Sequence, residues 1–216
     1  MARHCANWAN MLDPANCLEL AKRVAAACEE LGFACALIGA AALAVHGYAR
    51  GTEDVDLAVN VDPGSRLVAL ESALTGAGLR TRLRMPDDDD ALGGVLTVWA
   101  SEDVDGNPVG VVDVVNFHNP FSTVRNPGSA AITRARPLDG LPIRCVTLED
   151  LVALKLYAGG LTDRADILEV LLQNPDADIA MIRLTAAPFD SAGALDGLIE
   201  AAAGLNANYR KRPGPT

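Results

Sequence analysis

At 216 residues, 50% of them hydrophobic, the chain can bury one good core with a smaller helical appendage, and a disordered protein is excluded. The 28 acidic residues against 18 basic give a formal net charge of −10, which works against non-specific adhesion to nucleic acid or anionic membrane; a nucleic-acid substrate would need a local basic patch. Five scattered cysteines (Cys5, Cys17, Cys28, Cys35 and Cys145) without a CxxC pair suggest neither a disulfide framework nor a zinc site, and they read as free thiols.

The N-terminal stretch lacks the uninterrupted apolar run of a signal peptide, and the longest apolar segment, Ala34 to Val45, is shorter than the ~20 residues a membrane span requires. A cytoplasmic protein with no membrane partner is expected. Asp13-Pro14 offers an N-cap and a first-turn proline, after which Leu18, Leu20, Ala21, Val24, Ala25, Cys28 and Leu31 recur at helical spacing up to Gly32, a C-cap. A strand (Ala34 to Ile38), a glycine corner (Gly39), a short helix (Ala40 to His46) and a turn at Gly47 lead to a second strand, entered through Asp54-Val55-Asp56. A helix from Pro63 to Ala77 follows, and Leu79 to Leu83 alternates like a strand with an arginine-bearing face. The run Asp87 to Asp90, next to a proline and between strands, reads as a solvated loop rather than a metal site. Val95 to Ala100 and Val109 to Val115 are strands joined by a turn at Asp105-Gly106-Asn107-Pro108, and are expected to pair antiparallel.

From Asn119 to Arg136 the chain is polar and turn-rich, with Arg125, Arg134 and Arg136 supplying positive charge, and Leu141 to Val146 is a further strand. Thr147 caps the next helix, Thr162 or Asp163 caps another that ends near Asn174-Pro175, and helices over Ile179 to Ala186 and Ser191 to Ala203 complete the chain. The expected fold is α+β: a mixed, largely antiparallel sheet flanked by helices, with a core over residues 13–146, a helical C-terminal region over 147–205 packed on it and a flexible tail over 206–216.

Successive side chains on a strand point to opposite faces, so Asp54 and Asp56 share a face while Val55 turns inward. Two carboxylates on one face suit a hard divalent cation that keeps room for phosphate and water. Gly39 hands the first strand over to a helix, where free backbone amides attract phosphate. Asp113 interrupts the apolar strand Val109 to Val115; an ionised carboxylate there costs several kcal/mol unless paired or metal-bound, so it reads as a third metal ligand. The alternative is an aspartate on a half-solvated strand or paired with an arginine.

Gly39-Ala40, then Asp54-Val55-Asp56, then Asp113 in a later strand make the sequence resemble the nucleotidyltransferase superfamily, which has a DNA polymerase beta-like fold. The closer likeness is to its minimal and AbiEii-like toxin branch, through His46, Gly47, Arg50, Thr52, Asp54, Asp56 and Leu57, and through Glu149, Asp150, Leu151, Lys155, Leu156, Ala158, Asp163, Asp166 and Ile167 further on. Ala40 stands where that family has a second Gly or Ser, and Gly160 and Thr162 where relatives often have Arg and Lys. The resemblance implies transfer of a nucleoside monophosphate from an NTP to RNA, protein or a small molecule, and admits a toxin with a cognate antitoxin, a homo-oligomer, or a non-catalytic binding module. It implies two Mg²⁺ ions, or Mn²⁺, held by Asp54, Asp56 and Asp113 as the catalytic residues, and nucleotide binding by Gly39, Ala40, Arg50, Thr52 and Lys155. For Lys155 the alternative is a lysine lying along an amphipathic helix, for Arg50 a structural salt bridge, for His46 a helix-end hydrogen bond, and for Asp163 and Asp166 capping and helix-face positions.

Overall fold

The computed structural model describes residues 17–52 and 54–210. The expected cap at Asp13-Pro14, the Cys5 thiol and residues 211–216 of the expected tail lie outside the described residues. Helix α1 (Cys17–Glu30) buries Leu20, Ala21, Val24, Ala25 and Cys28 at the helical spacing of the sequence. It stops at Gly32, whose φ of +74° is open to glycine at little cost. There the amides of Gly32 and Phe33 donate to the carbonyls of Glu29 (2.9 Å) and Cys28 (3.0 Å), a Schellman closure that turns the chain into the sheet.

Strand β1 (Ala36–Leu37), helix α2 (Gly39–Val45) and strand β2 (Asp54–Val59) form the organising motif. A π-type turn over Pro63–Leu67 runs into α3 (Val68–Gly76), followed by β3 (Arg80–Arg84) and β4 (Val95–Trp99). The short strands β5 (Ser101–Glu102) and β6 (Pro108–Val109) pair as a separate hairpin before β7 (Val111–Asn116). Helix α4 (Gly128–Arg134), β8 (Arg136–Leu138) and β9 (Leu141–Cys145) precede four helices, α5 (Leu148–Ala158), α6 (Leu161–Gln173), α7 (Ile179–Ala186) and α8 (Leu195–Arg210).

The main sheet has the order β3-β4-β7-β2-β1-β9-β8. Neighbours are antiparallel except for β2 with β7 and β1 with β9, so the sheet is mixed and largely antiparallel, as expected, and β4 pairs antiparallel with β7. Helix α1 packs across β2, β7 and β9 over the buried side chains of Val55, Leu57, Val112 and Val114. A second apolar cluster joins α5, α6, α7 and α8 through Val152, Ile167, Leu171, Ile182 and Leu195. Helix α5 belongs to both clusters, since Leu151 and Leu154 face the sheet core, and this ties the helical region to the sheet. Among the described residues no helix is long and apolar enough to cross a membrane. Cys28, Cys35 and Cys145 are buried free thiols.

The structure departs from the sequence reading at several places: the expected strand Val109 to Val115 is broken at Gly110 between β6 and β7, β8 has no counterpart in that reading, and three helices differ. The polar stretch from Asn119 to Arg136 contains α4, whose seven residues bury only Gly128, Ala131 and Ile132, too few for a helical period to be legible. Helix α6 begins at Leu161, not after Thr162 or Asp163: Gly160 is its N-cap, and Asp163 reaches back to accept the Gly160 amide at 3.1 Å. Helix α8 begins at Leu195 instead of Ser191, because Asp190 accepts the amides of Ala194 and Leu195 at 2.8 and 2.9 Å, and it continues to Arg210, into the stretch read as tail.

At the end of β7 the fully buried Asn116 accepts the Val61 amide at 3.0 Å and donates to the carbonyls of Val61 (2.9 Å) and Gly93 (2.8 Å). Replacing it by Leu strands all three backbone groups. The Asn116→Leu protein should lose about 2–4 kcal/mol of stability, measured by urea unfolding.

Candidate metal centre

Alternation along β2 turns Asp54 and Asp56 to one face, and the parallel neighbour β7 sets Asp113 directly opposite Asp56. One carboxylate oxygen from each of the three lies within 4.8 Å of the others, and all three side chains are half-buried. The corner at Gly39 closes over this cluster. Its φ is +63°, and a Cβ there would lie 1.9 Å from Asp56 Oδ2, so only glycine fits. Thr52 steadies the approach to the strand, its hydroxyl donating to Asp54 Oδ1 at 2.5 Å.

The cluster is electrostatically uncomfortable by itself. Burial, then the charges of Asp54 and Asp113, push the Asp56 carboxyl from 3.8 up to about 7, with Lys155 and Arg50 pulling the other way. Asp113 Oδ1 is buried and, among the described residues, has no hydrogen-bond partner. A buried oxygen without a donor, set among acidic oxygens, is what a hard divalent cation corrects, and the residues present fit one such ion.

The other expected site residues fall into two groups. Gly39 and Ala40 open α2, so their amides have no acceptor within the helix. Lys155 lines a cavity of about 190 Å³ together with Gly39, Asp56, Phe117, Leu154 and Tyr157. A second cavity, of about 440 Å³, lies beside Asp54 and Thr52 and is walled by Pro108, Val109, Gly110 and Val111. Arg50 points elsewhere: its Nε and Nη2 donate to Asp166 at 3.0 and 3.3 Å. Lys155 pairs with the same Asp166 at 2.7 Å and with Asp163 at 2.9 Å. His46 ends α2 and donates from Nε2 to the Val146 carbonyl at 2.9 Å, burial holding its pKa below the usual histidine value.

Two residues carry more than the sequence reading gave them. Asp166 is the hub of the Arg50–Lys155 network; its signal was its place four residues before the buried Val170, on the apolar face of α6. Asp150 is fully buried and held by Arg134 through two hydrogen bonds, so it acts in the packing of α5 as well as in its cap.

No protein-family model and no curated protein matches the chain. Solved structures do. The crystal structure of ANT(2″)-Ia in complex with adenylyl-2″-tobramycin has a TM-score of 0.50 at 16% identity, over 81% of this chain and 97% of that one. The chain has a nucleotidyltransferase-like fold. The solution structure of the antibiotic-resistance factor ANT(2″)-Ia matches with a TM-score of 0.48 at 16% identity, over 90% of this chain and 97% of that one. An antigenic nucleotidyltransferase-like protein from Paracoccidioides brasiliensis matches with 0.49 at 16% identity, over 86% and 93%.

The raised pKa of Asp56 gives the candidate metal centre a testable pH dependence. The native metal-free protein holds a proton that the unfolded chain has lost, so this contribution to stability is complete below about 3.8 and disappears as pH rises through about 7. A divalent cation bound by these carboxylates would take the place of that proton. The rise in melting temperature on adding Mg²⁺ should therefore be larger at pH 8 than at pH 6, and calorimetry should detect proton release on binding. Asp113→Asn removes one repelling charge: by thermal unfolding, the metal-free variant should melt a few degrees higher, as for roughly 1 kcal/mol, and should no longer respond to Mg²⁺.

Proposed function

We propose that the chain is a metal-dependent nucleotidyltransferase that moves a nucleoside monophosphate from an NTP to an acceptor hydroxyl, releasing pyrophosphate. The observation that carries this reading is the convergence of Asp54, Asp56 and Asp113 beside the Gly39 corner, with Asp113 Oδ1 buried and, among the described residues, without a hydrogen-bond partner. Asp54, Asp56 and Asp113 would hold Mg²⁺, as one ion or two, which would supply charge neutralisation for the phosphates and lower the pKa of an acceptor hydroxyl. In the transfer, the acceptor oxygen bonds to the α-phosphorus as the bond to the bridging oxygen breaks. The acceptor proton passes to Asp113, and the electron pair leaves with pyrophosphate. The amides of Gly39 and Ala40 receive the β- and γ-phosphates, and Lys155, at the edge of the cavity that contains Asp56, meets their charge by exchanging Asp163 for phosphate. Thr52 keeps Asp54 turned to the site, and Arg50 holds Asp166 so that Lys155 stays in reach.

A small-molecule acceptor is the reading that the second cavity favours. That cavity adjoins Asp54, and among the described residues its lining has no cationic side chain to follow a nucleic-acid backbone. The motif shared with AbiEii-like toxins supports the other reading, in which RNA or protein is modified and a cognate antitoxin restrains the activity.

Incubation with α-³²P-labelled NTPs and Mg²⁺ against aminoglycoside, RNA and protein pools tests both. Label should pass to an acceptor, most readily a small polyhydroxylated one, and Asp54→Asn or Asp56→Asn should lower transfer by about 10³-fold or more. Metal-dependent NTP binding with no transfer to any pool would leave a binding module, and loss of that binding too would overturn the site.

A further inference from the structure

The three arginines of the stretch from Asn119 to Arg136 take no part in the carboxylate cluster, yet the fold gathers them. Arg125, Arg134 and Arg136 line one cavity of about 680 Å³ between α4, the start of α5 and α7, within the size range of small-molecule sites. The facing wall is apolar. Met181 and Leu184 are 45% and 72% exposed there, and Phe189 completes the surface. The Phe189 ring is held in place: Tyr157 meets it edge-on at 6.3 Å, and the Arg125 guanidinium lies 5.7 Å from its centroid.

The charges of the lining leave positive charge to spare. Asp150 is bound by Nε and Nη2 of Arg134, which fixes that guanidinium and cancels both charges. Glu149 is the other carboxylate of the lining. Against it stand Arg125 and Arg136, exposed and, among the described residues, in no ion pair. Two guanidinium forks in a chain of net charge −10 form a local site for an oxyanion, since planar guanidinium matches phosphate and carboxylate in two-point contact.

We propose that this cavity is a second ligand site, separate from the metal centre, for a small organic anion that joins a phosphate or carboxylate to a flat apolar body. The anion meets Arg125 and Arg136, and the body lies against Met181, Leu184 and Phe189. A nucleic-acid strand is disfavoured, because the arginines converge on one cavity instead of forming a stripe and the remaining charge is acidic.

The test is a titration of the ¹⁵N-labelled full chain in EDTA with 1-naphthyl phosphate and 1-naphthoate, with inorganic phosphate and neutral 1-naphthol as controls. Saturable shifts are expected at residues 125–136 and 181–189, leaving Gly39, Asp54 and Asp113 unmoved. The two naphthyl anions tell phosphate from carboxylate, and each control should bind at least about tenfold more weakly than the preferred one. A variant carrying both Arg125→Ala, which also gives up the contact with the Phe189 ring, and Arg136→Ala should lose about tenfold in affinity, and Arg136→Ala alone, an exposed side chain in no ion pair among the described residues, should weaken binding at an unchanged melting temperature. Absence of saturable binding, shifts centred on the metal centre, or a double variant that binds as the parent does would overturn the assignment.

Discussion

Three carboxylates whose oxygens lie within 4.8 Å repel one another, and much of the surrounding structure serves to keep them there. Two of them share a face of β2 because strand side chains alternate, and the third is delivered by the parallel register of β7, Asp56 against Asp113. Buried valines and leucines on the opposite face fix that register: a slip of one residue would turn Asp113 into the core and Val112 toward the site. The hydrophobic face thus supplies the energy that holds the acidic face in an unfavourable arrangement. This is how folded proteins store strain at places where a ligand relieves it.

A second layer of charge surrounds the first. Asp166, almost fully buried, receives both Arg50 from the segment after α2 and Lys155 from α5, so the motif, α5 and α6 are tied at one point. Such a buried network gives little net stability compared with apolar packing but fixes where each cation sits. Here it keeps Lys155 beside the cavity of Asp56 and Gly39.

The parts of this arrangement that rest on local rules were readable in the sequence. Strand alternation gives the shared face of Asp54 and Asp56, and an aspartate inside an apolar strand announces itself as Asp113 does. Gly39 stood out as the junction of strand and helix, though the reason only glycine fits, the nearness of Asp56 Oδ2, is a tertiary fact. What could not be read depends on packing between distant segments. Arg50 and Asp166 meet only because α6 lies against the segment after α2, and the strand order, which places β2 between β7 and β1, follows from no local pattern. The short helix α4 escaped for a different reason: a helix of seven residues with three buried positions has no period to detect.

The strict pairing of β2 with β7 also says where the chain can change length. An inserted or deleted residue anywhere from 54 to 59 or from 111 to 116 would scramble the inward and outward faces together, so neither strand can absorb one. The β5–β6 hairpin hydrogen-bonds only to itself in the sheet pairing, and leads through Pro108 and Val109 straight to the cavity beside Asp54. Lengthening or replacing its tip would leave the paired strands of the acidic triad undisturbed, which makes that hairpin the natural place for the chain to grow.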